Sequence, residues 1–475
     1  MKNIVDLIIK TMHMYTLEGE GLGYKYNYSI VIDDGKIICI DSHEKVDNIY
    51  TAKKNMCAES KLVLPGLIDG HMHTQHAIIR GVAQDINNWM MHGVGPFEEN
   101  KTKYSKKLGS TLAIYEAVLN GTTTIGDDGY EMEDVCDIID RVGVRGNISV
   151  RIRDAVTKVY EPGEIYEYDE SIGAAHIDEF RRLHQKWNGY DEDRILINIG
   201  PQGPDFVSKE NLIKVKKVSK EFNTKIHMHL QQGSRETQQM KKRYGRRSIE
   251  WLNEMDYFDQ DFIGIHLTDA TDEEAQFLAK CNSSMVLCSG SIGIIDGIVP
   301  PANAFRSVNG NVGLGSDQAP GNNCHNIINE MKLTALFNKI KFEDPEIMPA
   351  YEVLKMATIG GAKALGIDHI TGSLEVGKSA DLIMIDLNSL SMQPILTIPM
   401  RNFIPNLVYS ANGSEVDTVI VAGKVIVKDK KPVTFNPSDL VELLKEEAEV
   451  VGKKSVDKFL KIDGKNAQYM REDKL

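Results

Sequence analysis

The sequence predicts an α/β protein, a closed (β/α)8 barrel with a small β-sandwich domain built from both chain ends. Segments typical of strands and helices alternate over about 300 residues in the middle of the 475-residue chain, and eight such units fit a closed barrel better than the alternative, a doubly wound sheet. Short β-rich runs lie on both sides of this stretch. The expected domains are residues 1–62 with 367–436 for the sandwich, 63–366 for the barrel and 437–475 for a C-terminal helical tail.

Composition and charge exclude several classes of protein. Hydrophobic residues make up 42% of the chain, charged residues 26%, and the net charge is −13. An acidic chain without a basic stripe argues against binding to nucleic acid or to an anionic membrane. The first residues lack a long apolar segment, and no stretch approaches the length of a membrane span. Six scattered cysteines without a Cys-x-x-Cys pair predict reduced thiols and a cytoplasmic protein.

The elements of the sandwich and the tail are predicted from β-rich runs and one amphipathic segment. The expected sandwich strands are 5–9, 28–32, 36–40, 380–385 and 416–427. Asp33-Asp34-Gly35 marks a hairpin turn between two of them. The segment after Asn436-Pro437 carries apolar residues at helical spacing. It is expected to pack on the protein, with an oligomer contact as the alternative.

The barrel is predicted from eight strand-like runs and the helices between them. The first run is the apolar stretch that begins at Leu62 and ends at His73, and the other seven are 122–127, 144–153, 195–200, 225–230, 262–268, 285–288 and 311–316. A helix is expected over 104–120, with Gly121 after its end. The clearest helix is 208–222, where Ser208 is a typical N-cap and Glu210 lies in the first turn.

Side chains that bind metals occur at the ends of four predicted strands. In a barrel of this type, functional groups lie at the C-terminal ends of the strands. The residues found there are His71 and His73 on the first strand, His227 and His229 on the fifth, His266 on the sixth and Asp317 on the eighth. Imidazoles with one carboxylate are a typical ligand set for zinc, iron or manganese. A single histidine is as typical of the core, but the set at strand ends favours a metal site.

These motifs resemble the amidohydrolase superfamily, in its branch with cytosine deaminase, the S-adenosylhomocysteine deaminases and the triazine hydrolases. The resemblance covers nearly the whole chain. The matching motifs are 65–73, 121–124 with the preceding helix that carries Glu116, His229, His266, 313–317 and 417–424. The resemblance implies a TIM-like barrel and a homodimer, which is common in this superfamily.

The resemblance also implies a set of ligands and catalytic residues. One divalent metal, zinc with iron or manganese as alternatives, is expected to bind His71, His73, His229 and Asp317. Asp317 would take the proton of the metal-activated water, and His266 would orient or deprotonate that water. His227 does not align with a ligand and is expected to be a pocket or core residue. The fourth strand has no lysine in the ligand pattern, which argues against a carbamylated-lysine bridge between two metals.

The sequence departs from the deaminases of this branch on the substrate side. Gln232 stands where they carry a glutamate, and an amide is no general acid near neutral pH. Gln202 replaces the histidine of a Pro-His pair, and the strand-seven motif is altered at 288–292. Trp89 on the loop after the first strand could stack on a flat ring or simply pack the loop. Gln202, Gln232 and Trp89 are the predicted substrate-binding residues.

The expected function is a metal-dependent aminohydrolase that replaces an amino group on a nitrogen heterocycle with hydroxyl. Adenosine and S-adenosylhomocysteine become less favoured substrates because the glutamate is missing. The proton for the leaving group would come from Asp317 alone or from Glu236, or the leaving group would need less acid help. The alternatives are a triazine-type hydrolase that expels halide or a substituted amine, and a catalytically silent relative that binds a metal or ligand. The expected partner is a small heterocyclic substrate, with no nucleic acid or membrane.

Overall fold

The computed structural model describes residues 2–158, 160, 163–462 and 464–475. The residues outside this description, which the three predicted domains include, are Met1, Val159, Glu161, Pro162 and Asp463. The described strands form two sheets of eight strands each. No described helix is both long enough and apolar enough to cross a membrane.

The strands, in chain order, are β1 (Asn3–Tyr15), β2 (Tyr24–Asp33), β3 (Lys36–Ser42), β4 (Tyr50–Pro65), β5 (Leu67–Met72), β6 (Thr122–Gly129), β7 (Arg145–Ile152), β8 (Ile195–Pro201), β9 (Ile226–Leu230), β10 (Phe262–His266), β11 (Ser284–Leu287), β12 (Asn311–Leu314), β13 (Leu382–Asp386), β14 (Val416–Val421), β15 (Lys424–Lys428) and β16 (Lys431–Pro432).

The α-helices are α1 (His43–Ile49), α2 (Gly95–Glu98), α3 (Lys103–Leu119), α4 (Glu133–Val142), α5 (Glu170–Trp187), α6 (Tyr190–Asp193), α7 (Lys209–Phe222), α8 (Gly233–Tyr244), α9 (Ser248–Asn253), α10 (Asp272–Lys280), α11 (Ser289–Ile295), α12 (Ala302–Ser307), α13 (Ala319–Asn322), α14 (Ile327–Phe342), α15 (Ala350–Lys355), α16 (Gly361–Leu365), α17 (Phe403–Tyr409), α18 (Ser438–Phe459) and α19 (Lys465–Arg471). Short 3₁₀ turns span Thr74–Ile79 and Leu390–Met392, and π-helical turns span Met90–Val94 and Met356–Gly360.

The strands β5 to β12 form the predicted parallel barrel in chain order. The last gap, between β12 and β5, is crossed by a parallel bridge between Met72, the last residue of β5, and Asp317, just beyond β12. Asp317 N–H donates to the His71 carbonyl at 2.8 Å, and His73 N–H donates to the Asp317 carbonyl at 3.2 Å. The barrel therefore closes at the same end at which the predicted metal ligands lie, and the predicted fold class is confirmed.

The second sheet, called the end sheet below, combines strands from both chain ends. Its order is β16-β15-β14-β13-β4-β1-β2-β3, and the two halves join where β13 pairs antiparallel with β4, for example Met384 with Val63. The hairpin turns at its two extremes approach each other, since a Cβ on Gly35 would lie 2.8 Å from the Ala422 carbonyl oxygen. Gly35 also has a φ of +73°, so this close turn favours glycine on both counts.

The apolar run that begins at Leu62 contains a change from one sheet to the other. Residues up to Pro65 pair in the end sheet, and residues from Leu67 pair in the barrel. The residue between them is Gly66, where a Cβ would lie 2.0 Å from Thr123 Oγ1. Gly66 N–H donates to the Asp381 carbonyl of the end sheet, while Leu67 N–H donates to the Gly121 carbonyl beside the barrel. A single glycine thus lets the chain pass between two packed sheets.

A buried ion pair connects the barrel to the end sheet. Arg145, the first residue of β7, donates from Nε to Asp381 Oδ2 at 2.9 Å. The two side chains are 2% and 0% exposed. Arg145 also donates to Ser379 Oγ at 2.8 Å and to the Asp193 carbonyl at 3.0 Å. With these partners the buried guanidinium is well satisfied, as a buried charge must be.

The C-terminal helices α18 and α19 pack on the segment that follows β5. Val451 of α18 is buried among Ile78, Ile79 and Val94. Phe459 and Ala467 close over Ile86 in the same way. The tail therefore covers the outside of the loop that carries Trp89, which is the packing role expected from its amphipathic pattern.

Candidate metal centre

Three imidazoles and one carboxylate point at a common centre at the C-terminal end of the barrel. The Nε2 atoms of His71 and His73 lie 3.6 and 3.5 Å from Asp317 Oδ1. The Nε2 atoms of His73 and His229 are 3.2 Å apart. β5 carries His71 and β9 carries His229, whereas His73 and Asp317 immediately follow β5 and β12. The structure brings together all four residues that the sequence predicts as metal ligands.

The other ring nitrogen of each imidazole is held by a partner behind it. His71 Nδ1 is 2.8 Å from His227 Nε2. His73 Nδ1 and His229 Nδ1 lie 2.8 Å from the carbonyl oxygens of Asp128 and Gln202. A carbonyl can only accept, so His229 Nδ1 donates and His229 Nε2 keeps a free lone pair. This tautomer is the one that binds metals through Nε2.

His227 is therefore more than a core residue. It lies on β9 two residues before His229 and is 1% exposed. Its contact with Nδ1 fixes the ring of His71. The spacing of the two histidines on β9 was visible in the sequence, but nothing in the sequence shows that the first of them contacts an imidazole on another strand.

The donor set fits a divalent cation on its own chemistry. His71 Nε2 is buried and has no hydrogen-bond partner among the described residues, although such orphaned atoms are rare in folded proteins. Burial lowers the pKa of His71, His73 and His229 well below the usual value, which keeps these imidazoles neutral. His71, His73 and Asp317 lie within 4.8 Å of one another, and neutral imidazoles with a carboxylate are a ligand set for zinc and similar metals.

His266 and Asp317 complete the centre from β10 and from the residues after β12. His266 Nε2 lies 3.9 Å from Asp317 Oδ2. Ser291 Oγ donates to the same Oδ2 at 2.5 Å, so Oδ1 faces His71 and His73 while Oδ2 faces His266 and a hydroxyl. The φ angles of His266 and Asp317 are +70° and +58°. A left-handed backbone conformation costs free energy at a non-glycine residue. Such strained residues are found mainly at functional sites.

A guanidinium beside the ligands was not foreseen from the sequence. Arg151 of β7 donates from Nη2 to Asp128 Oδ2 at 2.7 Å, and the same Nη2 is 2.8 Å from His73 Nδ1. The charge of Arg151, after burial, is the largest influence that lowers the pKa of His73. Asp128 and Arg151 both lie toward the C-terminal ends of predicted strands, so the strand-end rule itself pointed to them. Their pairing across neighbouring strands was the missing information.

Two cavities adjoin each other at this end of the barrel, and the inner one reaches the centre. The inner cavity, of about 170 Å³, is lined by His73, His229, Asp317 and the three predicted substrate residues Trp89, Gln202 and Gln232. The outer cavity, of about 400 Å³, shares Trp89, Met90 and Gln232 with the inner one. Gln202 accepts a hydrogen bond from the Tyr130 hydroxyl at 3.2 Å on Oε1. Its carbonyl oxygen is the partner of His229.

Glu236 does not reach either cavity among the described residues. Its carboxylate is fully buried, where it accepts the backbone N–H groups of Gln231 and Gln232 at 2.9 Å each and the hydroxyl of Ser248. Burial raises its pKa to about 8. Both carboxylate oxygens of Glu236 accept hydrogen bonds at the first turn of α8. Glu236 is therefore excluded as the acid that protonates the leaving group.

Comparison with known proteins shows to which family the chain belongs. The sequence profile of the amidohydrolase family matches residues 62–426, which covers the whole barrel and, in the end sheet, β13, β14 and parts of β4 and β15. The chain belongs to the amidohydrolase family. Its similarity to individual members extends over almost the full length on both sides.

Two amidohydrolase relatives indicate the range of named activities. A 5'-deoxyadenosine deaminase of Methanosarcina barkeri is 31% identical over 458 residues, which cover 94% of this chain and 98% of the relative. A 5-methylthioadenosine/S-adenosylhomocysteine deaminase of Caldanaerobacter subterraneus subsp. tengcongensis is 31% identical over 439 residues, covering 91% and 95%. Both names describe hydrolases that act on C–N bonds of heterocycles.

Solved structures show the same fold. An adenosine deaminase from Xanthomonas campestris with bound zinc has a TM-score of 0.88 at 23% identity and covers 95% of this chain and 100% of that one. An atrazine chlorohydrolase from Arthrobacter aurescens TC1, complexed with zinc, has a TM-score of 0.83 at 17% identity and covers 93% and 100%. At these identities the likeness establishes the amidohydrolase barrel and its attached sheet.

Proposed function

We propose that this amidohydrolase removes an amino group from a nitrogen heterocycle by hydrolysis at a single divalent metal ion, zinc. The observation that carries the proposal is the convergence of three imidazole Nε2 atoms with Asp317 Oδ1, each imidazole held from behind. When bound, such a metal lowers the pKa of water from 15.7 to roughly 7 and so supplies a nucleophile at neutral pH.

Asp317 and His266 handle the proton of that water. Asp317 Oδ2 faces His266 and is oriented by the Ser291 hydroxyl, which places a carboxylate oxygen within reach of a nucleophile at the centre. Burial lowers the pKa of His266, so this imidazole is neutral and offers a hydrogen bond rather than a charge. Asp317 accepts the proton, and His266 fixes the direction of attack.

The same proton must reach the departing nitrogen, because an amide anion is too basic to leave. Neither Gln232 nor Glu236 can supply it, since one is an amide and the other is buried at the first turn of α8, where it accepts the backbone N–H groups of Gln231 and Gln232. Three acids line the inner cavity, Glu98, Asp128 and Asp317. Glu98 pairs with Lys101 and Asp128 pairs with Arg151, which leaves Asp317 as the acid at the centre. It therefore takes a proton in the first half of the reaction and returns it in the second.

The substrate is a flat heterocycle with an exocyclic amine. Trp89 lies on the wall shared by both cavities, where an indole can stack on a ring. The named relatives act on adenosine derivatives, which makes aminated purines the first compounds to test. The outer cavity leaves room for a substituent on the ring.

A second candidate is displacement of halide or a weakly basic amine. It is favoured by one observation, the amide of Gln232 in the position where related deaminases carry an acid. Such leaving groups depart without a strong proton donor.

The proposed compartment and assembly are the ones that the sequence predicts. All six cysteines are free thiols, which supports a reducing compartment such as the cytoplasm. A homodimer remains the expected assembly, and light scattering of the purified protein measures it.

The test is release of ammonia by protein of known metal content. The panel contains 5'-deoxyadenosine, 5-methylthioadenosine, S-adenosylhomocysteine and adenosine, with aminopyrimidines, aminopterins and aminotriazines, and chlorotriazines assayed for chloride. Zinc-loaded protein is compared with chelator-treated and reloaded protein. Ammonia release that disappears and returns with zinc supports deamination, and chloride release alone supports the second candidate. No release from any compound despite bound zinc would leave the silent relative as the better description.

A further inference from the structure

We propose that Arg235 is a positioning residue that fixes the amide of Gln232, so that Gln232 donates a hydrogen bond to an acceptor atom of the substrate ring. The proposal rests on the hydrolytic function proposed above and extends it to the chemistry of the substrate. It assigns a heterocycle that presents an unprotonated ring nitrogen or a carbonyl oxygen at this point.

The side chain of Gln232 has a defined orientation. Arg235 Nη2 donates to Gln232 Oε1 at 3.1 Å. A guanidinium has donors and no acceptor, so the amide oxygen must be the atom that faces Arg235. Gln232 Nε2 makes no hydrogen bond to any described residue, and Gln232 lines both cavities. The NH2 group is thus the part of the amide that remains for a ligand.

Arg235 is itself held in place on three sides. It forms an ion pair with Asp205, whose side chain is 0% exposed. Its Nη1 lies 3.3 Å from the Tyr166 hydroxyl, and its guanidinium carbon is 4.7 Å from the centre of the Phe206 ring. A planar group fixed by a carboxylate and an aromatic face has little freedom to turn.

The backbone of Gln232 is fixed by a different residue of the same helix. Gln232 is the N-cap residue of α8, and its N–H donates to Glu236 Oε2 at 2.9 Å. Arg235 and Glu236 thus hold the side chain and the backbone of one residue from a single helical turn. This double attachment leaves the amide pre-oriented, which lowers the entropy cost of the hydrogen bond to a ligand.

The arrangement also explains why an acid does not suit this position. A glutamate at 232 would lie against Arg235, and an adjacent opposite charge keeps a carboxyl ionised. An ionised carboxylate can accept but cannot donate. Arg235 and Gln232 therefore act together to present a hydrogen-bond donor. The position is not an acidic site that has merely lost its acid.

The first experiment is a crystal structure of the zinc-loaded protein and of Arg235→Lys. Lysine can still neutralise Asp205 but does not present the planar fork that reaches Gln232. In the unmodified protein, Gln232 Oε1 should remain within hydrogen-bond distance of Arg235, with Nε2 free of protein acceptors. In the variant, the amide should take a different or a mixed orientation. An amide turned away from Arg235 in the unmodified protein would overturn the proposal.

The second experiment measures kcat and KM for the best panel substrate and for deaza analogues, in which C–H replaces one ring nitrogen. Gln232→Met should raise KM about tenfold for the parent compound and change it less than about twofold for one analogue, the one that lacks the acceptor. Arg235→Lys should follow the same pattern more weakly. Gln232→Glu should lose about tenfold or more in kcat/KM because it offers only an acceptor.

Controls separate this role from a structural one. Gln276→Met on α10, away from both cavities, makes the same exchange and should leave both kinetic constants unchanged. Metal content and thermal unfolding are measured for every variant. Equal losses on all analogues, or a Gln232→Glu variant as active as the unmodified protein, would overturn the proposal. If no panel compound is turned over, the proposed function fails, and the crystal structures still decide the orientation of the amide.

Discussion

The backbone N–H of Asp317 donates to the carbonyl oxygen of His71 at 2.8 Å. The first and last strands of the barrel thus meet through two residues whose side chains also converge on the metal centre. The contact that closes the barrel is therefore also the contact that brings these ligands together. The site therefore depends on the barrel as a whole and cannot form on a part of it.

Asp317→Asn should abolish turnover. The variant keeps an oxygen toward the centre but loses the base that accepts a proton, and loss of a general base costs roughly 10²–10⁴ in rate. Metal content should largely persist because the three imidazoles remain. Metal analysis and ammonia release on the same preparation measure both effects.

The control for this variant is Asp457→Asn, an acid-to-amide exchange at an exposed position of α18. It should be fully active. Full activity in Asp317→Asn would sink the proposed mechanism.

His227→Phe should lower the affinity for zinc about 10–100-fold, the usual cost of removing a group that orients a ligand. The variant removes the only described partner of His71 Nδ1. His227→Gln, which retains an acceptor, should lose less. Competition with a chromophoric chelator measures the affinity.

His184→Phe serves as the matched exchange, because this histidine lies on α5 beside Phe180 and Phe222. It should bind zinc normally. An unchanged affinity for zinc in His227→Phe would show that His71 binds the metal without its contact to His227.

Arg145→Met should reduce the free energy of unfolding by about 3–5 kcal/mol, because it leaves the buried Asp381 carboxylate without its partner. The double variant with Asp381→Asn should be more stable than Arg145→Met alone. Denaturant unfolding measures both. Arg246→Met breaks an exposed pair with Glu250 and should cost no more than about 1 kcal/mol. An equally small loss for Arg145→Met would contradict the link between barrel and sheet.

Glu330 should make stability fall as pH rises. Burial raises its pKa to about 7 from a normal value of 4.5, so the folded state holds a proton that the unfolded state has released. Its contribution is full below about pH 4.5 and is lost as pH approaches and passes 7, by up to about 3 kcal/mol at about 1.4 kcal/mol per pKa unit.

Glu330→Gln should flatten this part of the pH–stability curve, whatever its effect at any one pH. Unfolding is followed in denaturant between pH 5 and 8 at constant zinc. The exposed residue Glu346, changed to Gln, should leave the slope as it is. Because Glu236 contributes in the same direction, some slope should remain, but a slope as steep as that of the unmodified protein would contradict the assignment to Glu330.

The barrel was predictable because most of its strands are short apolar runs bounded by turn residues and several of its helices begin at a side-chain N-cap. Ser208 is an example, since its side chain accepts the Asn211 N–H at 3.2 Å as an N-cap should. The strand β4 was predicted only at its end, because residues 50–61 are mostly polar and exposed. The passage from β4 to β5 at Gly66 was equally invisible, because one apolar run continues through both sheets.

The metal ligands were predictable because their residue types are rare and they occur at strand ends. The partners behind them were not, since Asp128 and Gln202 act through backbone carbonyls, which every residue possesses. Arg235 lies on the polar face of a helix in sequence. Its contact with Gln232 depends on the direction in which Asp205 holds it, and no pattern along the chain encodes that direction.

The pairing of β13 with β4 sets an order of events during synthesis on the ribosome. The edge of β4 that begins at Leu62 stays unpaired until β13 has been synthesised. β13 follows about 320 residues later, and synthesis of those residues takes roughly 16–60 s at the usual rates of elongation. Until then Leu62, Val63 and Leu64 form an open apolar edge able to recruit another nascent chain. Polypeptides that stop before residue 382 keep that edge permanently, so premature termination within the barrel yields fragments prone to aggregation.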